Sequence, residues 1–322
     1  MAEHRPEERL IYDGSLEPVL VRAVGMYGLG DFQSYSTIPV GYEDFNAQVR
    51  TNRGSYVLKV FASSRTPEEI TRYEELMRAV IVAEVNCPAM HGAGDDLVYR
   101  DTESGLAMVA MDFVPGKTFY ELRRSPNDAE LSLVLEQAAR INAVPHHPKF
   151  LFDSWAITNL TEEHYGPIRK YVSTEDQATL EQVITELAAV DKSALPHCLV
   201  HGDIIKSNVI AGDDGKMYIL DFSVANWYPR IQELAVIVGN LMNELDSGQS
   251  FGGYLQKVVA GYVAAGGQLT EAEMSLLSVY ARASYAAEFV GAMREKFLQK
   301  NDSAETKYLL ELSRAGLSRL RA

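Results

Sequence analysis

Three side chains near the middle of the chain, Asp203, Asn208 and Asp221, have the types and spacing for metal-assisted chemistry. They belong to the run Leu199-Val-His-Gly-Asp-Ile-Ile-Lys-Ser-Asn-Val-Ile210, which continues through Ala211 to Lys216 into Met217-Tyr-Ile-Leu-Asp-Phe222. Two apolar pieces, Asn208-Val-Ile and Met217-Tyr-Ile-Leu, flank Gly212-Asp-Asp-Gly215, the pattern of short strands joined by a hairpin turn. Such a hairpin carries Asp203, Asn208 and Asp221 to one end of a small sheet. An acceptor-only carboxylate, an amide oxygen and a second carboxylate gathered there could hold a hydroxyl and one or two Mg²⁺ ions beside a nucleotide phosphate.

The surrounding chain has to position these groups. With 322 residues and 47% hydrophobic content, the sequence reads as a soluble globular protein with room for two lobes. A formal charge of −14 argues against a nucleic-acid backbone or an anionic membrane as partner, and favours a cationic or neutral substrate. Cys87 and Cys198 stand alone, without metal or CxxC spacing, as reduced thiols of a reducing compartment. His146-His147, on a loop without matching Cys or carboxylate spacing, reads as plain surface. The opening Met-Ala-Glu-His-Arg-Pro-Glu-Glu-Arg lacks a signal-peptide core and no run reaches membrane-spanning length, so the cytoplasm is the expected location. A monomer and a homodimer fit the sequence equally.

Periodicity predicts a helix from Leu16 to Tyr27, then strands over Phe32 to Val40, Phe45 to Thr51 and Ser55 to Phe61. A helix opens at Thr66-Pro67 and runs through Val80. Leu106 to Val114 reads as another strand, closed by Pro115-Gly116. From Ala129 the pattern is mainly helical, with an insertion-like stretch from Phe150 to Tyr171. A helix over Leu234 to Leu245 is expected, and Thr270-Glu-Ala-Glu273 forms a capping box for a long helix ending at Phe297. Lys59 lies within the apolar run Val57-Leu-Lys59-Val-Phe, where a charge is costly unless it has a partner or snorkels from an edge strand.

His201-Gly-Asp203, Asn208 and Ile219-Leu-Asp221-Phe222 stand in an order and spacing that resembles the aminoglycoside phosphotransferase and choline kinase families, small-molecule relatives of the protein kinases. The resemblance implies an α+β, bilobal protein-kinase-like fold. Residues 1–114 would form a nucleotide-binding lobe with a five-stranded antiparallel sheet and one helix, and residues 115–322 a larger, mainly helical catalytic lobe. It further implies ATP and Mg²⁺ as cofactors, with ATP in the cleft. Asp203 would be the catalytic base that orients an acceptor hydroxyl, and Asn208 and Asp221 would be metal ligands. Gly41 would lie in the turn over the phosphates, Lys59 would bridge them, and Glu74 or Glu75 would pair with Lys59. The Asp112 carbonyl and Val114 amide would read the adenine edge. Lys206 and Ser207 stand either beside the moving phosphoryl group or on plain surface. Glu233 replaces an aspartate that braces the catalytic loop in the family, and its longer stem leaves that role open. Trp227 either stacks on a ligand or packs in the core.

Only eleven residues separate Asp221 from Glu233, too few for the platform on which protein kinases dock a polypeptide, and Gly202 replaces the arginine that grips a phosphorylated segment in many of them. A small-molecule hydroxyl is therefore the expected acceptor. An antibiotic or similar glycosylated natural product is favoured over choline, homoserine, a sugar or another amino alcohol, and a silent nucleotide-binding pseudokinase is the remaining alternative.

Overall fold

The computed structural model describes residues 6–245 and 250–321. The chain divides into two compact units: Met1–Arg78 with Cys87–Gly116, and Ala79–Asn86 with Lys117–Ala322.

In the first unit, helix α1 (Leu16–Met26) buries Leu16, Val19, Leu20, Ala23 and Val24. These residues share one face because apolar side chains three and four positions apart line one side of a helix. They join Phe45, Ala47, Val49, Leu58 and Val60 in a single core cluster. Those residues come from β2 (Phe45–Thr51) and β3 (Ser55–Val60), and β1 (Phe32–Ile38) packs Phe32 and Tyr35 against the cluster. Helix α2 (Pro67–Val82) follows, then β4 (Met90–His91), β5 (Val98–Arg100) and β6 (Ala107–Asp112). The sheet has six strands in the order β1-β2-β3-β6-β4, with β5 also paired to β6. β4 and β5 span only two and three residues, too few to show an alternation, and the five-stranded expectation misses that extra strand. Arg22 clasps Asp101 through two hydrogen bonds of 2.7 Å, fastening α1 to the β5–β6 turn. That guanidinium, helped by Ser104 and Tyr99, holds the Asp101 carboxyl far below the usual carboxylate range.

In the second unit, β7 (Gly116–Thr118) pairs with β9 (Val209–Gly212), and β9 with β10 (Met217–Ile219). The helices α3 (Phe119–Leu122), α4 (Asp128–Asn142), α5 (Glu162–Tyr165) and α6 (Thr174–Ala188) precede β8 (His197–Val200), which pairs with β11 (Asn226–Pro229). Then come α7 (Ile231–Val236), α8 (Phe251–Ala264), α9 (Glu271–Phe297) and α10 (Ala304–Arg319). Thr270 and Glu273 cap α9 reciprocally. The helix expected to run to Leu245 instead leaves α-geometry after Val236 and ends in a π-helical turn, Ile237–Leu241. Within that turn Gly239 lies so close to α9 that a Cβ would sit 2.1 Å from Ser284 Oγ, so only glycine permits the approach.

Candidate active site

The loop between β8 and β9 carries His201, Asp203, Lys206 and Asn208. His201 is fully buried. Its Nδ1 accepts a hydrogen bond from the Asp203 amide at 3.1 Å, which leaves Nε2–H to donate to the Leu220 carbonyl at 2.9 Å. The ring is therefore neutral, and burial pushes it down to about 4. It ties the loop to the residue before Asp221, while Phe222 packs on it with ring centres 4.5 Å apart.

Glu233 fixes the same loop from beneath. Its carboxylate accepts from the His201 amide at 2.7 Å, the Gly202 amide at 3.2 Å and Asn142 Nδ2 at 3.4 Å. The longer stem thus reaches two consecutive backbone amides of the loop. Burial pushes this carboxyl up to about 7, against the pull of those donors. Gly202 adopts φ 77°, a left-handed conformation in which any side chain would be strained.

Asp203 and Asn208 meet directly: Asn208 Nδ2 donates to Asp203 Oδ2 at 2.6 Å and to the Asp203 carbonyl at 3.1 Å. Asn208 Oδ1 then has no protein donor among the described residues. The Leu220 amide donates to the Asn208 carbonyl at 2.8 Å, which places Asp221 at the same end of the β9–β10 hairpin. Asp221 has φ 56°, and its Oδ1 accepts from the Ser223 amide at 3.2 Å. Among the described residues no cluster of three or more His, Cys, Asp or Glu could hold a metal alone. Mg²⁺ keeps several waters and takes one or two protein oxygens together with substrate phosphates. The Asn208 amide oxygen and the Asp221 carboxylate fit that mode.

Lys206 does not stand beside these groups and is not on the surface. It is 2% exposed, and its Nζ donates to the Leu241 carbonyl at 2.6 Å, Ser125 Oγ at 2.8 Å and the Arg124 carbonyl at 3.2 Å. Burial pulls the ammonium down to about 7. It lines a recess of about 670 Å³ with Arg123, Arg124, Asn243 and Tyr308. Trp227 stacks on His147 with ring centres 4.6 Å apart, so one of the paired histidines serves as an aromatic partner.

A second set of residues in this unit gave no sequence signal. Asn240, in the π turn, accepts from the Lys206 amide at 3.0 Å and donates to Glu288 Oε1 at 3.1 Å. Glu288, on α9, is half-buried and has no cationic partner among the described residues. Burial, with the nearby charge of Asp153, raises its carboxyl to about 7. One turn along α9, Trp155 lies against Gly291 so closely that a Cβ there would be 2.3 Å from the ring. A lone glutamate within a long helix looks like a solvated charge.

In the first unit, Lys59 sits on β3 between Asn46 of β2 and Val109 of β6. By strand alternation it faces away from the core side of Leu58 and Val60. Its Nζ lies 3.3 Å from Asp44 Oδ2, and both side chains are nearly sealed, at 4% and 1% exposure. The expected partner on α2 is elsewhere: Glu74 Oε1 accepts from Arg78 at 2.6 Å and from the Leu97 amide at 2.8 Å, and Glu75 is exposed. The α2 residue facing Lys59 is Tyr73, whose ring centre is 5.6 Å from Nζ. The reason is angular, since adjacent helical residues point about 100° apart. Gly41 takes φ 101° in the β1–β2 turn, and its carbonyl accepts from Arg9 at 2.8 Å. Asp112 pairs with Tyr56 in the ladder, and its Oδ1 accepts from His91 Nε2–H at 2.7 Å. The Val114 amide donates to no protein acceptor among the described residues.

An antiparallel sheet unit and a mainly helical unit that carries Asp203, Asn208 and Asp221 at the end of a hairpin define a protein-kinase-like α+β fold. Solved structures share it: a spectinomycin phosphotransferase in complex with ADP and spectinomycin superposes with a TM-score of 0.66 at 14% identity, covering 95% of this chain and 98% of that one. Choline kinase LicA from Streptococcus pneumoniae gives 0.64 at 10% identity, covering 94% of this chain and 99% of that one. The family model described as phosphotransferase enzyme family matches residues 34–277, and the chain belongs to that family. Curated relatives include homoserine kinase from Sinorhizobium medicae, 25% identical over 222 residues, 67% of this chain and 65% of that protein. A second is homoserine kinase from Rhodopseudomonas palustris, 25% identical over 206 residues, 62% of this chain and 60% of that protein. The chain therefore spans less than two thirds of the length of these curated relatives.

Proposed function

We propose that the protein is an ATP- and Mg²⁺-dependent O-phosphotransferase acting on a hydroxyl of a small molecule. The observation that carries this reading is the 2.6 Å contact between Asp203 and Asn208, with Asp221 fastened to the same hairpin end. Asp203 orients the acceptor hydroxyl and takes its proton as the oxygen attacks the γ-phosphorus. The new O–P bond forms as the bond to the bridging oxygen breaks, and ADP leaves with that electron pair. Bound Mg²⁺ would offset the charge building on the phosphates, held by Asn208 Oδ1 and Asp221. Lys59 would hold phosphate oxygens, Gly41 would lie in the turn above them, and the Asp112 carbonyl and Val114 amide would meet the base.

Glu288, without a cationic partner among the described residues, lies one turn of α9 before Gly291, which packs on the Trp155 ring, and is joined through Asn240 to the loop of Asp203. A carboxylate and an aromatic face suit a protonated or quaternary amine. Amine-bearing antibiotics satisfy this, and so does homoserine, the substrate named for the curated relatives. An antibiotic or similar glycosylated natural product remains the favoured acceptor, and a metabolic amino alcohol the alternative.

The test is an ATP-dependent screen of hydroxylated antibiotics and metabolites, read by mass spectrometry for a phosphate adduct. An adduct formed by the wild type and absent with Asp203→Asn supports the reading. ATP binding without any adduct across the screen would favour a silent nucleotide-binding protein.

A further inference from the structure

Resting on the phosphotransferase reading, we propose that Asp44 is the positioning residue for Lys59, in place of a helix glutamate, so that the phosphate-facing turn carries its own lysine anchor.

Helix α2 cannot supply the carboxylate. It presents Tyr73 to Lys59, and the next residue, Glu74, is committed to Arg78 and the Leu97 amide. Asp44 comes instead from the β1–β2 turn, three residues after Gly41. It is held on its far side as well: Oδ1 accepts from the Ala62 amide at 3.0 Å and from Arg65 Nε at 3.4 Å. A buried carboxylate with a hydrogen bond to a backbone amide keeps one rotamer, and its geometry passes to the ammonium beside it.

The turn is itself fastened. The Arg9 guanidinium donates to the carbonyls of Asp44 and Gly41, both at 2.8 Å. Arg9 lies in a short 3₁₀ helix, Pro6–Leu10, whose Leu10 is 1% exposed in the core. The Arg9 carbonyl accepts from the Ser63 amide at 3.1 Å, just beyond β3. Gly41, Asp44 and Lys59 thus form one connected piece, and a shift of the turn moves the lysine's partner with it.

Wild type, Asp44→Asn, Asp44→Glu, Arg9→Met and Glu74→Gln are compared by the Kd of a fluorescent ATP analogue and by KM for ATP against kcat. Thermal melts are recorded in parallel. Asp44→Asn is expected to weaken analogue binding and raise KM for ATP about tenfold, with a smaller change in kcat. A merely structural aspartate would lower stability without separating KM for ATP from kcat in this way. Asp44→Glu should recover much of the affinity. Arg9→Met should act in the same direction by about threefold, which keeps the test open if Asp44→Asn melts poorly. Glu74→Gln should stay within about twofold of wild type. Wild-type affinity and KM for ATP in Asp44→Asn, or a larger effect from Glu74→Gln, would overturn the assignment alone. A wild type that binds no nucleotide analogue would overturn the phosphotransferase reading with it.

Discussion

The two units secure Asp203 and Lys59 in different ways. Around Asp203 the fastening is local in sequence: His201, two residues before, accepts from its amide, and Asn208, five residues after, donates to its carboxylate. Around Lys59 the fastening comes from afar: Asp44 from a turn, Tyr73 from a helix, and Arg65 behind the carboxylate. The first arrangement can be read as a motif. The second needs three elements folded before its partner is evident, and it is open to substitution of one supporting residue by another.

The sharpest way to break this contrast is Asp203→Asn. If Asp203 orients and deprotonates the hydroxyl, kcat should fall by about three orders of magnitude while nucleotide affinity stays near wild type. Steady-state turnover with an identified acceptor decides it, and retained turnover would strip the loop of its assigned chemistry.

Glu233→Gln should have an intermediate effect, lowering kcat about tenfold, because the amide oxygen still accepts from a loop amide but no longer as a charge. Its pH signature has a fixed sign. The folded carboxyl titrates at about 7 against an ordinary 4.5, so the folded chain keeps a proton that the unfolded chain has released. The stability this group adds is complete below pH 4.5 and is lost as the pH rises to about 7. Melts across that range should show wild type losing stability relative to Glu233→Gln. His201 works in the opposite direction, at about 4 against 6.5, so its contribution is lost as the pH falls through that window. The paired comparison of wild type with variant isolates the glutamate.

The smallest effect on turnover is expected from Lys206→Met, although the residue lies within the motif. Removing its Nζ leaves buried oxygens of Arg124, Ser125 and Leu241 without their donor, at a cost of about 1–3 kcal/mol in urea unfolding. Turnover by the folded variant should change less than about threefold. A large loss of kcat with normal stability would return Lys206 to the chemistry.

Much of the fold and the loop was legible because each rests on short-range pattern. The alternation of Phe45, Ala47 and Val49 marks a strand with one buried face, and the hairpin between Asn208 and Asp221 fixes where they meet. Legibility ended wherever direction mattered more than residue type. Tyr73 and Glu74 are neighbours, and only the rotation of α2 against β3 decides which one faces the lysine. Asp44 reads as an ordinary turn residue, and Lys206 as a lysine either beside the moving phosphoryl group or on plain surface, until tertiary packing seals them. Glu288 is one acid among many in an acidic chain, and its hydrogen-bond partner Asn240 lies 48 positions away on another element.

The backbone at Asp221 lies in a region that glycine occupies freely and other residues enter at a penalty of about 1 kcal/mol or more. If Asp221 holds the metal ion as proposed, chain comfort and ion binding ask for different residues at one position. Asp221→Gly should keep the backbone turn while removing the carboxylate, so a residue that suits the chain conformation would leave a dead enzyme at this one codon.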